Sequence, residues 1–165
     1  MKSIYAVFAL VGYLFVASPQ NNPRLLPDPK LTPGATLNVD MSTLCTPGYT
    51  KTVRNVPSSL NKAVYARYGI LKHGKGEMEV DHLISLELGG SNDITNLWPE
   101  PYDLNVDGFQ MGAHEKDKAE NATHEAVCGG KISLKDAQTQ IVKDWTVLYR
   151  RFVSPTFPKY APKKK

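Results

Sequence analysis

One stretch constrains this chain more than any other: EVDHLISLELGGSNDITNLWPEP, residues 79–101. Val80, Leu83, Ile84, Leu86 and Leu88 give the stretch strand character and a claim on the core over residues 78–88. Gly89-Gly90 then breaks the run where a chain can reverse, and Leu97-Trp98 resume it on a short returning strand. A hairpin with one face on a core is the expected result. Glu79, Asp81 and His82 do not follow from that need. Successive strand residues point to opposite faces, so Asp81 and His82 can serve one site only if the strand bends or ends there.

The rest of the chain supplies helices. SSLNKAVYARYGI is predicted to be helical, with a serine cap after Pro57 and a stop at Gly69. Small apolar residues Ala113, Ala119, Ala122, Ala126 and Val127 predict a helix from Ala113 to Cys128, ended by Gly129-Gly130. A last helix follows in SLKDAQTQIVKDWTVLYRRF, where Ser133 and Asp136 make a capping pair. Leu134, Ala137, Ile141, Trp145, Leu148 and Phe152 form its core-facing stripe. Short strands are expected at Thr36–Val39 or Thr50–Val53, with CTPGYT turning between them, and an irregular loop before Ala113. The class is α+β.

The two ends read differently. Lys2 and the apolar run Ile4–Ala17 resemble a secretory signal peptide, too short for a comfortable membrane span, with an uncleaved anchor as the alternative. We expect a signal peptide at 1–18, a proline-rich arm at 19–37, one domain at 38–154 and a basic tail at 155–165. The chain would then be secreted or periplasmic, with no membrane contact after cleavage. Export suits Cys45 and Cys128 as one disulfide between distant segments, two unrelated buried thiols being the alternative. The net charge is +4, or +3 once Lys2 is removed (4 minus 1), a mild preference for polyanions.

Cutting a phosphodiester needs a base that takes a proton from water near neutral pH and a cation that steadies the departing oxygen. A histidine serves the first need and a divalent ion, held by carboxylates, the second. Asp81-His82 offers both groups side by side, and Asn96 is placed to hold a backbone carbonyl of the first strand and so aim His82.

EVDHLISLELGG and NDITNLW resemble the HNH nucleases, whose ββα-metal unit carries an acid–His or His–His pair, a Gly-containing loop, Asn-Leu and a closing helix. CTPGYTKTVR and AHEKDKAEN…SLKDAQTQIVKDW look like parts of an exported bacterial subset of that family, so the resemblance covers roughly residues 40–150. It implies an α+β fold with a ββα-metal core, flanking helices and an irregular N-terminal arm. It implies His82 as general base, Asp81 as metal ligand and Asn96 as the residue orienting His82. The family's third position, His or Asn at the start of the last helix, falls on Gly112 or Ala113, which cannot bind metal. His114 and Asp117, three apart on one helix face with Asn121 and His124, are the available ligands, and Asn105 is a further candidate. The metal would be divalent, magnesium before manganese or another transition metal.

Lys116, Lys118, Lys75 and Arg54, with Lys72 and Arg67, are the basic residues that could meet phosphates. Such contacts ignore sequence and weaken with salt. Lys116 is the one we place on the scissile phosphate, with a solvated helix lysine as the equal alternative. The partner is nucleic acid, DNA before RNA. The leading expectation is thus a largely sequence-nonspecific, metal-dependent endonuclease. A non-catalytic secreted binding module on the same scaffold is the alternative, and a phosphoesterase for small nucleotides a third. Glu87, His73 and His124 read as surface or packing residues, Glu79 stands level between solvated edge and site, and Trp98 and Trp145 read as core. Two distant cysteines make no zinc finger, and no nucleophile elbow is present.

Overall fold

The computed structural model of the protein describes residues 24–160. The expected signal peptide therefore lies outside the described residues, as does the end of the basic tail, residues 161–165. Short helices α1 (Met41–Leu44) and α2 (Tyr49–Val53) lead to α3 (Ser58–Arg67). Strands β1 (Met78–His82), β2 (Leu97–Pro101), β3 (Leu104–Val106) and β4 (Phe109–Met111) follow, then helices α4 (Ala113–Cys128) and α5 (Leu134–Phe152). Among the described residues, five α-helices and two small antiparallel sheets make the architecture α+β.

β1 pairs antiparallel with β2, from Met78 opposite Pro101 to His82 opposite Leu97. The strand is shorter than residues 78–88, and the reason lies in the apolar run itself. Leu83, Ile84, Leu86 and Leu88 are all buried, at positions of both parities, whereas a strand in a two-stranded sheet would bury alternate residues. The chain instead leaves β1 at His82, makes a tight turn over Leu86–Leu88, and reverses at the glycines. Gly90 is required there: a Cβ would overlap the Ile84 carbonyl and the Asn96 amide.

Four local expectations are corrected. Residues 50–53 are helical rather than extended, as part of α2, which Tyr49 anchors in the core. Thr36–Val39 forms a single bridge, Thr36 to Gly90, and no longer strand. The loop before α4 holds the β3–β4 hairpin, closed by Asp107 (φ 51°) and Gly108 (φ 87°), the two left-handed residues that a tight hairpin turn needs. In α3 the cap position is Pro57 itself, and no side chain caps the helix; Gly69 (φ 71°) ends it as expected.

α4 spans the expected residues, and α5 starts where Ser133 accepts from the Asp136 amide. α5 bends at Asp144, where the helix is interrupted and the Asp144 carboxylate caps the next turn through the Thr146 amide at 2.9 Å. Its stripe holds: Ala137, Ile141, Trp145 and Leu148 are buried against Val127 and Ala119 of α4 in the main core. The arm packs onto this body. Trp145 Nε1 donates to the Leu25 carbonyl at 2.8 Å, and the Thr32 hydroxyl donates to the Leu97 carbonyl at 3.0 Å.

Candidate active site

β1 ends at His82, and that ending is what lets Asp81 and His82 approach each other. Asp81 Oδ1 lies 3.9 Å from His82 Nδ1. The His82 side chain is 2% exposed and that of Asp81 18%, so the pair is reached from the Asp81 side. On its other edge, His82 Nε2 lies 3.1 Å from Asn92 Oδ1.

Beneath the pair is a buried ionic cluster. Lys116 rises from α4 with no exposure, and its ammonium donates to Asp81 Oδ2 at 2.5 Å, the His82 carbonyl at 2.8 Å and Glu120 Oε1 at 2.5 Å. Three donors meet three acceptors. Glu100, opposite Glu79 in the ladder, is a fourth member: its Oε2 lies 3.4 Å from the ammonium, yet neither of its oxygens has a hydrogen-bond partner.

Three carboxylates against one ammonium would leave excess negative charge in a low-dielectric interior, so protons make up the difference. Burial pushes Glu120 up to about 8, with Lys116 opposing and the Asp81 charge adding. Burial likewise raises Glu100 well above the usual carboxylate range, against Lys116. Burial also acts on Asp81, but there Lys116 and the neighbouring hydrogen bonds outweigh it and hold the carboxyl below the usual range. Asp81 and Lys116 are the ionised pair. Asp81 spends Oδ2 on the lysine and keeps Oδ1 toward His82.

A second set of carboxylates faces the exposed side. Burial raises Glu79, which accepts from the Tyr102 hydroxyl at 2.9 Å, and the charges of Asp81 and Asp117 raise it further. Burial and then the Asp81 charge raise Asp117, which the charges of His114 and Arg54 partly relieve. Glu79 and Asp117 therefore both lie within electrostatic reach of Asp81. An oxygen-rich set with one imidazole suits a hard divalent ion, so the donors present fit one. They are not yet gathered: among the described residues, the one set of three donors lying within 4.8 Å of one another is Cys45, His124 and Cys128. His114 and Asp117 are exposed, with the His114 ring leaning on Tyr102 at 5.6 Å.

The Cys45, His124 and Cys128 group could hold a metal ion, but only with its sulfurs free. Cys45 and Cys128 form a disulfide, with Cα atoms 5.8 Å apart. Thiolates would select a soft ion such as zinc rather than magnesium.

Asn96 is fully buried and works beside His82, not on it. Its Oδ1 accepts from the Ile84 amide at 2.9 Å, and its Nδ2 donates to the Ile84 carbonyl at 2.9 Å and the Ser91 carbonyl at 2.8 Å. It closes the loop that follows β1. Asn105 lies in β3, where its Oδ1 accepts from the Gly108 amide, a turn contact.

The basic residues divide. Lys116 is sealed in its acid cage and presents no charge at the surface, contrary to its expected place on a phosphate. Lys118 is 57% exposed and paired with Glu115 at 3.1 Å, Lys75 is exposed in the loop before β1, and Arg54 is exposed beside Asp117 and Glu87. Gly112 and Ala113 lack ligand side chains for a packing reason. A Cβ on Gly112 would overlap the Tyr102 carbonyl, and Ala113 is 2% exposed. His124 Nδ1 lies 3.7 Å from Glu87, and His73 stacks on Tyr65.

Sequence reasoning missed Asn92, Glu100 and Glu120. Nothing local marks Asn92, which reaches His82 across the turn. Lys116 and Glu120 did carry a signal, being on the Ala113–Ala119–Ala126 face that packs inward.

Compared with family models, curated proteins and solved structures, the chain matches none.

Proposed function

We propose that the protein is a metal-dependent endonuclease of the HNH type, cleaving nucleic acid with little regard to sequence, with His82 as general base. The observation that carries the reading is the end of β1. There one Asp81 oxygen is locked by Lys116, the other is left beside His82 Nδ1, and Glu79 and Asp117 add carboxylates within electrostatic reach.

In this reading His82 takes the proton of the attacking water, acting from a ring fixed by the strand end and by Asn92. Asp81 Oδ1 would hold a divalent ion, with His114 and Asp117 turning to join it. A bound cation stabilises charge on the departing 3′ oxygen. Cleavage would then leave 5′-phosphate and 3′-hydroxyl ends. Lys116 acts through Asp81 rather than on the phosphate, and Arg54, Lys75 and Lys118 are left to attract the polyanion.

A second reading, a non-catalytic secreted binding module, is favoured by one feature: Lys116 already satisfies half of Asp81 from within. Incubating oxidised protein with single- and double-stranded DNA and RNA, in magnesium, manganese or EDTA, separates the two. Metal-dependent cleavage with 5′-phosphate ends supports the nuclease. Salt-sensitive retention of the polymer without cleavage supports the module.

A further inference from the structure

Asn92 occupies a position that neither the sequence nor the resemblance singles out. Its side-chain amide is pinned by two backbone groups of opposite sign. Nδ2 donates to the Val53 carbonyl at 2.7 Å, and Oδ1 accepts from the Asn55 amide at 3.1 Å. Both partners belong to the segment at the end of α2, outside the β1–β2 hairpin. Turning the amide over would set NH₂ against N–H and oxygen against oxygen, so the orientation is determined by the backbone and not by a choice of hydrogens.

With that orientation fixed, only an oxygen faces His82. The 3.1 Å contact between Asn92 Oδ1 and His82 Nε2 is a hydrogen bond only if Nε2 carries the proton. A neutral ring with Nε2–H has its lone pair on Nδ1. That nitrogen is the one beside Asp81 Oδ1, it makes no hydrogen bond, and it is not among the sealed polar atoms that lack a partner. Asp81, its neighbour on that side, is the more exposed member of the pair, at 18% against 2%.

We propose that Asn92 is the positioning residue that fixes the His82 tautomer, leaving Nδ1 as the basic nitrogen at the mouth of the site. Its consequence for rate rests on the reading of His82 as the base; the tautomer assignment does not. The end of α2 thereby takes part in the site, because Val53 and Asn55 hold the amide that holds the imidazole.

The test is a long-range ¹H–¹⁵N correlation spectrum of the ¹⁵N-histidine-labelled, oxidised protein, recorded where the rings are neutral, with His82→Ala assigning the signals. A protonated Nε2 and an unprotonated Nδ1 on His82 are expected. The opposite pattern in the wild type overturns the proposal, and that result needs no further variant to fold. Asn92→Ala should mix the tautomers and slow cleavage by roughly 10- to 100-fold, the usual cost of losing a group that orients an imidazole. Asn92→Asp keeps an acceptor toward His82 while losing the donor to Val53, so it should retain the tautomer and most of the rate. Tautomer and rate unchanged in Asn92→Ala would also overturn the proposal. Protonated Nε2 in a wild-type protein that cleaves nothing would refute the nuclease reading and leave the tautomer assignment standing.

Discussion

Lys116 shows how much one side chain can decide. A lysine in a helix full of charged residues reads as a solvated phosphate contact. The helical phase puts it one turn from Ala113 and one turn from Ala119, on the buried stripe, where carboxylates and the His82 carbonyl receive its ammonium. Removing the ammonium strands the Asp81 charge in the interior, so Lys116→Met should lower the unfolding free energy by roughly 3–5 kcal/mol, measured by denaturant unfolding. Glu120 gives the same cluster a pH signature. Its carboxyl titrates near 8 in the folded chain against an ordinary 4.5, so the folded state binds this proton more tightly than the unfolded state. That contribution is full below pH 4.5 and is lost as pH rises through 8. Glu120→Gln, which still accepts from Lys116, should flatten the fall in melting temperature across that window; an unchanged slope would mean that Glu120 is ionised throughout.

At the scale of elements, the hairpin depends on the loop that joins its strands. Asn96 satisfies both backbone groups of Ile84 and the carbonyl of Ser91 from a fully buried position, while Gly90 makes room for the approach. Asn96→Ala leaves those groups unpaired and should cost about 3 kcal/mol, with the Ile84 amide exchanging faster than those of α5. Much of this scale was legible in the residues. α4 and α5 carried their boundaries in Gly129-Gly130 and Ser133, and the hairpin was marked by its apolar run and its glycines. The length of β1 was not, because Leu83 and Ile84 look the same whether they extend a strand or fill a buried loop. The β3–β4 hairpin has its local mark in Asp107-Gly108, the turn pair, although its strands are only three residues each. In the site, adjacency gave Asp81 and His82; Asn92, Glu100 and Glu120 reach it only through tertiary approach, which no local pattern records.

The whole molecule is tied by one covalent link and one arm. The disulfide joins Cys45 at the end of α1 to Cys128 at the end of α4, across a separation of 83 residues. Reduction should lower stability by about 4.5 kcal/mol in the chain-entropy account, read as a shift in denaturant midpoint. Zinc should recover part of that loss in the reduced protein, and His124→Ala should abolish the recovery, if the freed thiolates and His124 close on the ion. Among the described residues no helix is long and apolar enough to cross a membrane. The arm, through Leu25 and Thr32, closes the body over Trp145 and β2, so its removal should expose core rather than trim a linker.

The central claim is that His82, at the end of β1, activates water for phosphodiester cleavage. Its most direct measurement is the nicking of supercoiled plasmid by oxidised protein, with manganese or magnesium and with EDTA, for wild type and His82→Ala side by side. The expected result is cleavage that requires the metal and falls by roughly 10²–10⁴-fold in the variant, the usual worth of a general base. Cleavage by folded His82→Ala at the wild-type rate would contradict the claim.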